Sequence, residues 1–283
     1  MLVAQITDPH ILARGKIFHA PHRAIPADAP DGWSCIDTGA GLARAIAALN
    51  AVDPRPDIAV LTGDLTDHGN PDEYDHLREI LAAASMPVYV IPGNHDNREN
   101  LRAAFLADGY LPSEGFLQYV IEGGAMRIVA LDTNIPGDHG GELCAERLAW
   151  LDSTLAAKPN RPALVLMHHP PFMTAIRHMD KYPLYTAEAF ASVIRRHPQV
   201  ERILCGHMHR TIDHRFAGTI AGTAPATAHQ LLLDITEPGR RAHFNFEPPG
   251  YQLHLWRDGI GLVTHTAVLG DFPGPFPYHA PQP

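Results

Sequence analysis

Short apolar runs recur along the chain, and each ends in a small polar cluster. Leu2 to Ile6 leads into Asp8-Pro9-His10, Ile58-Ala59-Val60-Leu61 into Gly63-Asp64, and Val88-Tyr89-Val90-Ile91 into Gly93-Asn94-His95-Asp96. Ala163-Leu164-Val165-Leu166-Met167 leads into His168-His169, and Ile203-Leu204 into Gly206-His207-Met208-His209. Unbroken runs of this length, rich in β-branched residues, read as strands buried on both faces. Between them, Gly41 to Ala51, Asp72 to Ala84, Arg98 to Ala107, Cys144 to Ala157 and Ala187 to Arg196 read as helices; Thr186 is the expected N-cap of the last, with Glu188 in its first turn. Strands alternating with helices predict a layered α/β domain with its site at the carboxyl ends of the strands, so the five clusters should converge on one rim. One more strand, Arg127 to Leu131, ends in Asp132-Thr133-Asn134, where Asp132 reads as a carboxylate that fixes the loop rather than a ligand.

Two regions break the alternation. Ile11 to Thr38 has neither helix nor strand period and begins directly after His10, so it should be a long loop overhanging the site. After about Thr211 come short alternating segments: Thr211 to Phe216, Gln230 to Asp234, Tyr251 to Trp256 and Gly261 to His265. They predict antiparallel strands that close a second sheet or form a cap. The expected organisation is a catalytic domain over 1–215, with 11–38 inserted over the site, and C-terminal strands over 216–283 that complete the domain. An irregular Pro-rich stretch runs from Phe272 to Pro283.

At 283 residues the chain can bury one large core. Its formal charge of −9, from 22 basic and 31 acidic side chains, lacks the basic footprint of a protein that grips long nucleic acid. Cys35, Cys144 and Cys205 are too few and scattered for a disulfide framework or a Cys-rich zinc site. No signal-peptide pattern opens the sequence and no apolar run approaches the roughly 20 residues of a membrane helix, so a cytoplasmic protein with no membrane partner is expected.

The clusters carry carboxylate, amide and imidazole groups. Asp8 and His10 are two apart at the end of an extended segment, where their side chains should share a face and reach one ion. Asp64 offers two oxygens that can bridge two ions, Asn94 an amide oxygen, and His168, His207 and His209 imidazoles. Mixed N and O ligands without thiolate suit Zn²⁺, Mn²⁺, Fe or Co. Taken singly, each cluster is ordinary: Asp-x-His is a common coincidence, Gly-Asp a turn, and His168-His169 unremarkable among 19 histidines. Their joint placement just beyond five predicted strands is what points to a metal pair.

The ordered set of Asp-x-His, Gly-Asp, Gly-Asn-His-Asp, His and Gly-His-x-His resembles the calcineurin-like metallophosphoesterase superfamily, over about Met1 to Arg210. The resemblance implies a four-layer α/β/β/α sandwich with a C-terminal antiparallel cap. It also implies two divalent ions, one held by Asp8, His10, Asp64 and His209 and the other by Asp64, Asn94, His168 and His207. A water or hydroxide bridging the ions is then the nucleophile, while His95 lies over the substrate and stabilises charge or protonates the leaving oxygen. Two ions about 3.5–4 Å apart would acidify the shared water and neutralise phosphate oxygens, and an imidazole suits the proton transfer. Asp67 and Asp96 read either as orienters of His95 or a ligand imidazole, or as loop caps.

Protein phosphatases of the superfamily carry Gly-Asp-x-x-Asp-Arg-Gly, whose arginine grips a monoester dianion. Here Gly63-Asp64-Leu65-Thr66-Asp67-His68-Gly69 has a histidine instead, so a monoanionic diester is the better match. Pro92 to Asp96, Leu131-Asp132-Thr133 with Pro136 to Gly141, Met167 to Pro171 and Cys205 to His209 are similar to the bacterial branch of class III cyclic-nucleotide phosphodiesterases and glycerophosphodiesterases. The implied activity is hydrolysis of small phosphodiesters, with a phosphomonoesterase or nucleotide pyrophosphatase, or a non-catalytic metal-binding regulator, as alternatives. Branch members often pair through the cap, so Leu231-Leu232-Leu233 is the expected homo-oligomer surface. Phe18, His19, His22 and Trp33 are expected to pack the inserted loop in preference to stacking on substrate; for His229, substrate contact and a satisfied strand histidine both stand.

Overall fold

Along residues 163–167 the side chains alternate between two cores. Leu164 and Leu166 share one with Ile6, Leu61, Ile128 and Leu204; Ala163, Val165 and Met167 share the other with Leu151, Leu155, Phe190 and Ile194. A strand with apolar packing on both faces must lie inside a layered fold.

The computed structural model describes residues 1–19, 35–236 and 242–279. In chain order the strands are β1 (Leu2–Ile6), β2 (Phe18–His19), β3 (Cys35–Ile36), β4 (Ile58–Thr62), β5 (Val88–Ile91), β6 (Tyr119–Ile121), β7 (Arg127–Ala130), β8 (Ala163–Leu166), β9 (Val200–Cys205), β10 (Ile212–Phe216), β11 (Thr219–Thr223), β12 (Gln230–Leu231), β13 (Phe244–Asn245), β14 (Gly250–Arg257) and β15 (Gly261–Val268). The helices are α1 (Thr38–Asn50), α2 (Pro71–Leu81), α3 (Arg98–Phe105), α4 (Ala145–Ala156) and α5 (Ala187–Ile194).

Among the described residues one sheet runs β15-β14-β1-β4-β5 and a second runs β10-β11-β9-β8-β7-β6. The inner faces of the two sheets meet in the first core. Leu42, Ile46, Tyr74, Leu77 and Leu101 of α1, α2 and α3 join that core from the flank of the first sheet, and α4 and α5 cover the second. The result is the expected α/β/β/α sandwich. β1, β4 and β5 are mutually parallel, as are β7, β8, β9 and β11, which brings the polar clusters to one rim.

The C-terminal strands extend both sheets. β10 and β11 finish the second, while β14 lies antiparallel to β1, with Leu2 opposite Leu255 and Gln5 opposite Gln252. β12 and β13 form a separate two-stranded ribbon. The strand expected over Gln230 to Asp234 stops at Leu231, since the Asp234 carboxylate turns back to accept from Thr236 N at 3.0 Å. Thr186 is the N-cap residue of α5 as expected, but its hydroxyl makes no capping bond and accepts from Leu143 N at 2.8 Å instead. In the inserted segment β2 pairs with β3 and closes its base. The side chains of His19, His22 and Trp33 fall outside the described residues. No described helix is long and apolar enough to cross a membrane.

Candidate metal centre

The loops that follow the strands carry five site residues in the left-handed backbone region: Asp8 at φ 49°, His10 at 45°, Asp64 at 48°, His207 at 69° and His209 at 48°. Asp8 and His10 therefore do not share the face of an extended segment, as their spacing predicts. Each sits in a strained bend, costing on the order of 1–3 kcal/mol, which the surroundings must over-determine. They do so through backbone bonds: Asp8 N donates to Gly63 O at 3.2 Å, His10 N to Asp64 O and Ile11 N to Leu65 O, both at 3.0 Å. Two glycines permit the close approach of the loops. A Cβ on Gly206 would strike Thr7 Oγ1, and one on Gly93 would strike Asp64 N and Oδ1.

All seven predicted ligand side chains meet at the rim. His10 Nε2 lies 3.6 Å from Asp64 Oδ2 and 3.1 Å from His209 Nε2, which is 3.5 Å from Asp8 Oδ1. His168 Nε2 lies 3.4 Å from Asp64 Oδ2 and 3.1 Å from Asn94 Oδ1, and His207 Nδ1 is 3.0 Å from the same amide oxygen. Asp64 thus stands between the two halves. His10 Nδ1 is engaged by Asp67 Oδ1 at 3.2 Å, His168 Nδ1 donates to Thr62 O at 2.8 Å and His209 Nδ1 to His229 O at 3.4 Å. With Nδ1 of all three so engaged, it is Nε2 that faces the centre, where an ion would displace its proton and take the lone pair.

This donor set fits a pair of cations. Among the described residues no arginine or lysine pairs with the buried carboxylates of Asp8 and Asp64, whose charge falls to the imidazoles around them, and His207 Nε2 is buried without a hydrogen-bond partner. Burial opposes charge on His10 and His168. Asp67 and Asp64 beside His10, and Asp64 beside His168, outweigh it and hold both imidazoles up at about 9. Burial, then the neighbouring imidazoles, pushes His207 and His209 down to about 3. Asp64, though buried, is held well below the carboxylate range by His168 and His95.

His95 and His169 also lie within ligand distance of the groups around them, but their ring nitrogens have other work. His169 is spent on Thr133 Oγ1 at 2.9 Å and His139 O at 3.1 Å. His95 donates Nδ1–H to Asp67 O at 2.8 Å, while its backbone N donates to Asp64 Oδ1 at 2.9 Å. Its ring meets His10 edge-on at 4.7 Å and lines a cavity of about 350 Å³ above the ligands.

Asp67 takes the orienting role, on His10. Asp96 is a loop cap: its carboxylate accepts from Gly93 N at 2.8 Å, Leu65 N at 3.0 Å and Tyr74 Oη at 2.9 Å. Asp132 fixes its loop as expected, accepting from Arg98 Nε at 2.7 Å, Leu117 N and Asn134 N. Asn134 in turn donates to Asp96 O at 3.1 Å. Asp132→Ala should therefore cost about 3–5 kcal/mol in urea unfolding, because it leaves the Arg98 guanidinium and two amides without their acceptor. Phe18 packs on His229, stacked at 6.1 Å, and on Phe244, and also lines the cavity; His229 lines it too. Sequence reasoning missed Tyr74 and Asn134, and gave His139, which also lines the cavity beside Asn94 and His95, no role of its own.

The family model described as calcineurin-like phosphoesterase matches residues 1–211. The chain is 36% identical over 280 residues to a probable glycerophosphodiester phosphodiesterase of Arcobacter nitrofigilis, covering 99% of this chain and 97% of that protein. It is 34% identical to a probable cyclic nucleotide phosphodiesterase of Rhodopseudomonas palustris, over 92% and 89% of the two chains. A dimetal phosphatase from Danio rerio shares the fold at a TM-score of 0.63 and 17% identity, covering 95% of this chain and 99% of that one. With its motifs gathered at one rim of the α/β/β/α sandwich, the chain belongs to the calcineurin-like phosphoesterase family.

Proposed function

We propose that the protein is a dinuclear metal-dependent phosphodiesterase acting on small diesters, glycerophosphodiesters or cyclic nucleotides. In this reading Asp8, His10, Asp64 and His209 hold one divalent ion and Asp64, Asn94, His168 and His207 the other, with Mn²⁺, Fe, Zn²⁺ or Co²⁺ as suitable occupants. The observation that carries it is the position of Asp64 Oδ2, between His10 Nε2 at 3.6 Å and His168 Nε2 at 3.4 Å, beneath a cavity that His95 faces. Bound there, two ions supply Lewis acidity toward the phosphoryl oxygens and an acidified water for in-line attack.

The protein's own side chains do the rest. Asp67 holds His10, and its main-chain carbonyl fixes the His95 ring, so Nε2 of the protonated ring can hand a proton to the departing oxygen. Among the described residues lining the cavity there is neither arginine nor lysine. His68, at the position of the phosphatase arginine, turns instead to Glu73 Oε1 at 2.9 Å. A second negative charge on the phosphoryl group would find no guanidinium, which supports a diester over a monoester. With metal-analysed protein and added Mn²⁺, bis(p-nitrophenyl) phosphate should turn over faster than p-nitrophenyl phosphate. A wide preference for the monoester would reject the diester reading.

A cytoplasmic location belongs to the same reading and accords with the absence of disulfides among the described residues. So does self-association through the C-terminal strands. Leu231 is buried against Ile176 and Met208, which leaves Leu233, Ile235 and Phe246 as the exposed apolar surface there. A monomeric mass in light scattering would end that part of it.

A further inference from the structure

The ligand set is divided between two sheets. Asp8, His10, Asp64 and Asn94 follow β1, β4 and β5, whereas His168, His207 and His209 follow β8 and β9. The spacing of any two ions held between them depends on how the sheets are registered face to face. Most of that interface is apolar, with Ile6, Leu61, Ile128, Leu164, Leu166 and Leu204 in one core. Apolar contact is non-directional and by itself sets no such register.

Gln5 interrupts this core. It sits in β1 within Leu-Val-Ala-Gln-Ile, is fully buried, and uses every polar atom of its side chain. Nε2 donates to Thr62 Oγ1 at 3.0 Å on β4 and, across to the other sheet, to Cys205 O at 2.9 Å on β9. Oε1 accepts from His254 Nε2 at 3.1 Å on β14, and His254 Nδ1 accepts from Thr264 Oγ1 at 2.9 Å on β15. Burial pushes the His254 imidazole down to about 3, so it stays neutral, in the one tautomer that holds the Gln5 amide. The partners lie directly beneath the site. Thr62 precedes Asp64 by two residues and its carbonyl holds His168 Nδ1, while Cys205 precedes His207 by two. A buried amide is costly unless fully bonded; here each bond is made, and an aliphatic side chain in its place would leave the buried His254 Nε2–H without its acceptor.

We propose that Gln5 is a positioning residue for the metal centre: its amide, locked by His254, pins β9 to β1 and β4 and so sets the separation of the two ligand groups. The inference rests on the two-ion reading above.

The test is a Mn²⁺ titration of the chelator-stripped full chain by calorimetry, with exchange coupling between the two ions read by EPR. Wild type should bind two Mn²⁺. In Gln5→Met the weaker Kd should rise by about 10-fold or more, as for other outer-shell supports, and the coupling should change. Ile128→Ala, buried in the same core but on β7, away from Gln5 and its partners, should lower Tm and leave both Kd values unchanged. If Gln5→Met fails to fold, His254→Leu should weaken the same site and His254→Gln, which can still donate to Gln5, should restore it. Wild-type Kd values and coupling in Gln5→Met, or equal affinities in the two His254 variants, would remove the role of Gln5 and leave the two-ion reading standing. Fewer than two Mn²⁺ on wild type would overturn both.

Discussion

Asp64→Ala is expected to abolish diester turnover, lowering kcat/KM by at least about 10³-fold, since the loss of a single stabilising donor in an active site already costs on the order of 10²–10³. The effect should exceed that of any other single ligand. Asp64 Oδ2 faces His10 Nε2 from one half of the site and His168 Nε2 from the other, and Oδ1 holds the backbone of His95. In the two-ion reading, removing the carboxylate withdraws a donor from both ions; it also frees the backbone of His95 and takes a nearby carboxylate from His10 and His168. Bound Mn²⁺, measured by metal analysis, should fall below two per chain. Turnover within an order of magnitude of wild type would show that the carboxylate is no bridge.

His95→Ala should separate substrates by their leaving groups. A glycerol or ribose oxygen departs as a poor alkoxide and needs a proton, so loss of the Nε2 donor should cost about 10²–10⁴ in kcat on alkyl diesters. A nitrophenolate is stabilised by its own ring and should lose far less. Metal content should stay at the wild-type level, because the His95 ring is tied to Asp67 O rather than spent on an ion. An equal loss on both classes would instead make His95 a substrate-binding group. The comparison is therefore kcat on bis(p-nitrophenyl) phosphate against glycerophosphoethanolamine, each with metal analysis.

The parts of this molecule that could be read from the sequence are those in which composition and position coincide. Val165, Leu166 and Met167 announce a buried strand, and His168 beyond them announces a rim, because parallel sheets put polar residues at strand ends. β11 was missed: Thr219-Ile220-Ala221-Gly222-Thr223 is short, small and half polar, and it becomes a strand only because β9 offers it an edge. The left-handed turns at Asp8, His10, Asp64, His207 and His209 were equally hidden, since nothing in an Asp or a His reports its φ. Asp67 and Asp96 looked alike in sequence and took different roles, one on an imidazole and the other on backbone amides, for reasons of packing alone. Gln5 drew no notice inside an apolar run, where its three partners come from strands as distant as residue 254.

The pairing of β14 with β1 also bears on how the molecule comes into being. A ribosome that has just completed His209 has made all seven of these ligand residues, yet the strand that leads to Asp8 still presents a bare edge where β14 will lie. That neighbour, Gly250–Arg257, is synthesised only after the last of them, and with it comes His254, which donates to Gln5 Oε1. In the two-ion reading, capture of metal then waits on β14, and a nascent chain interrupted before residue 250 carries all seven of these side chains with β1 unpaired along that edge.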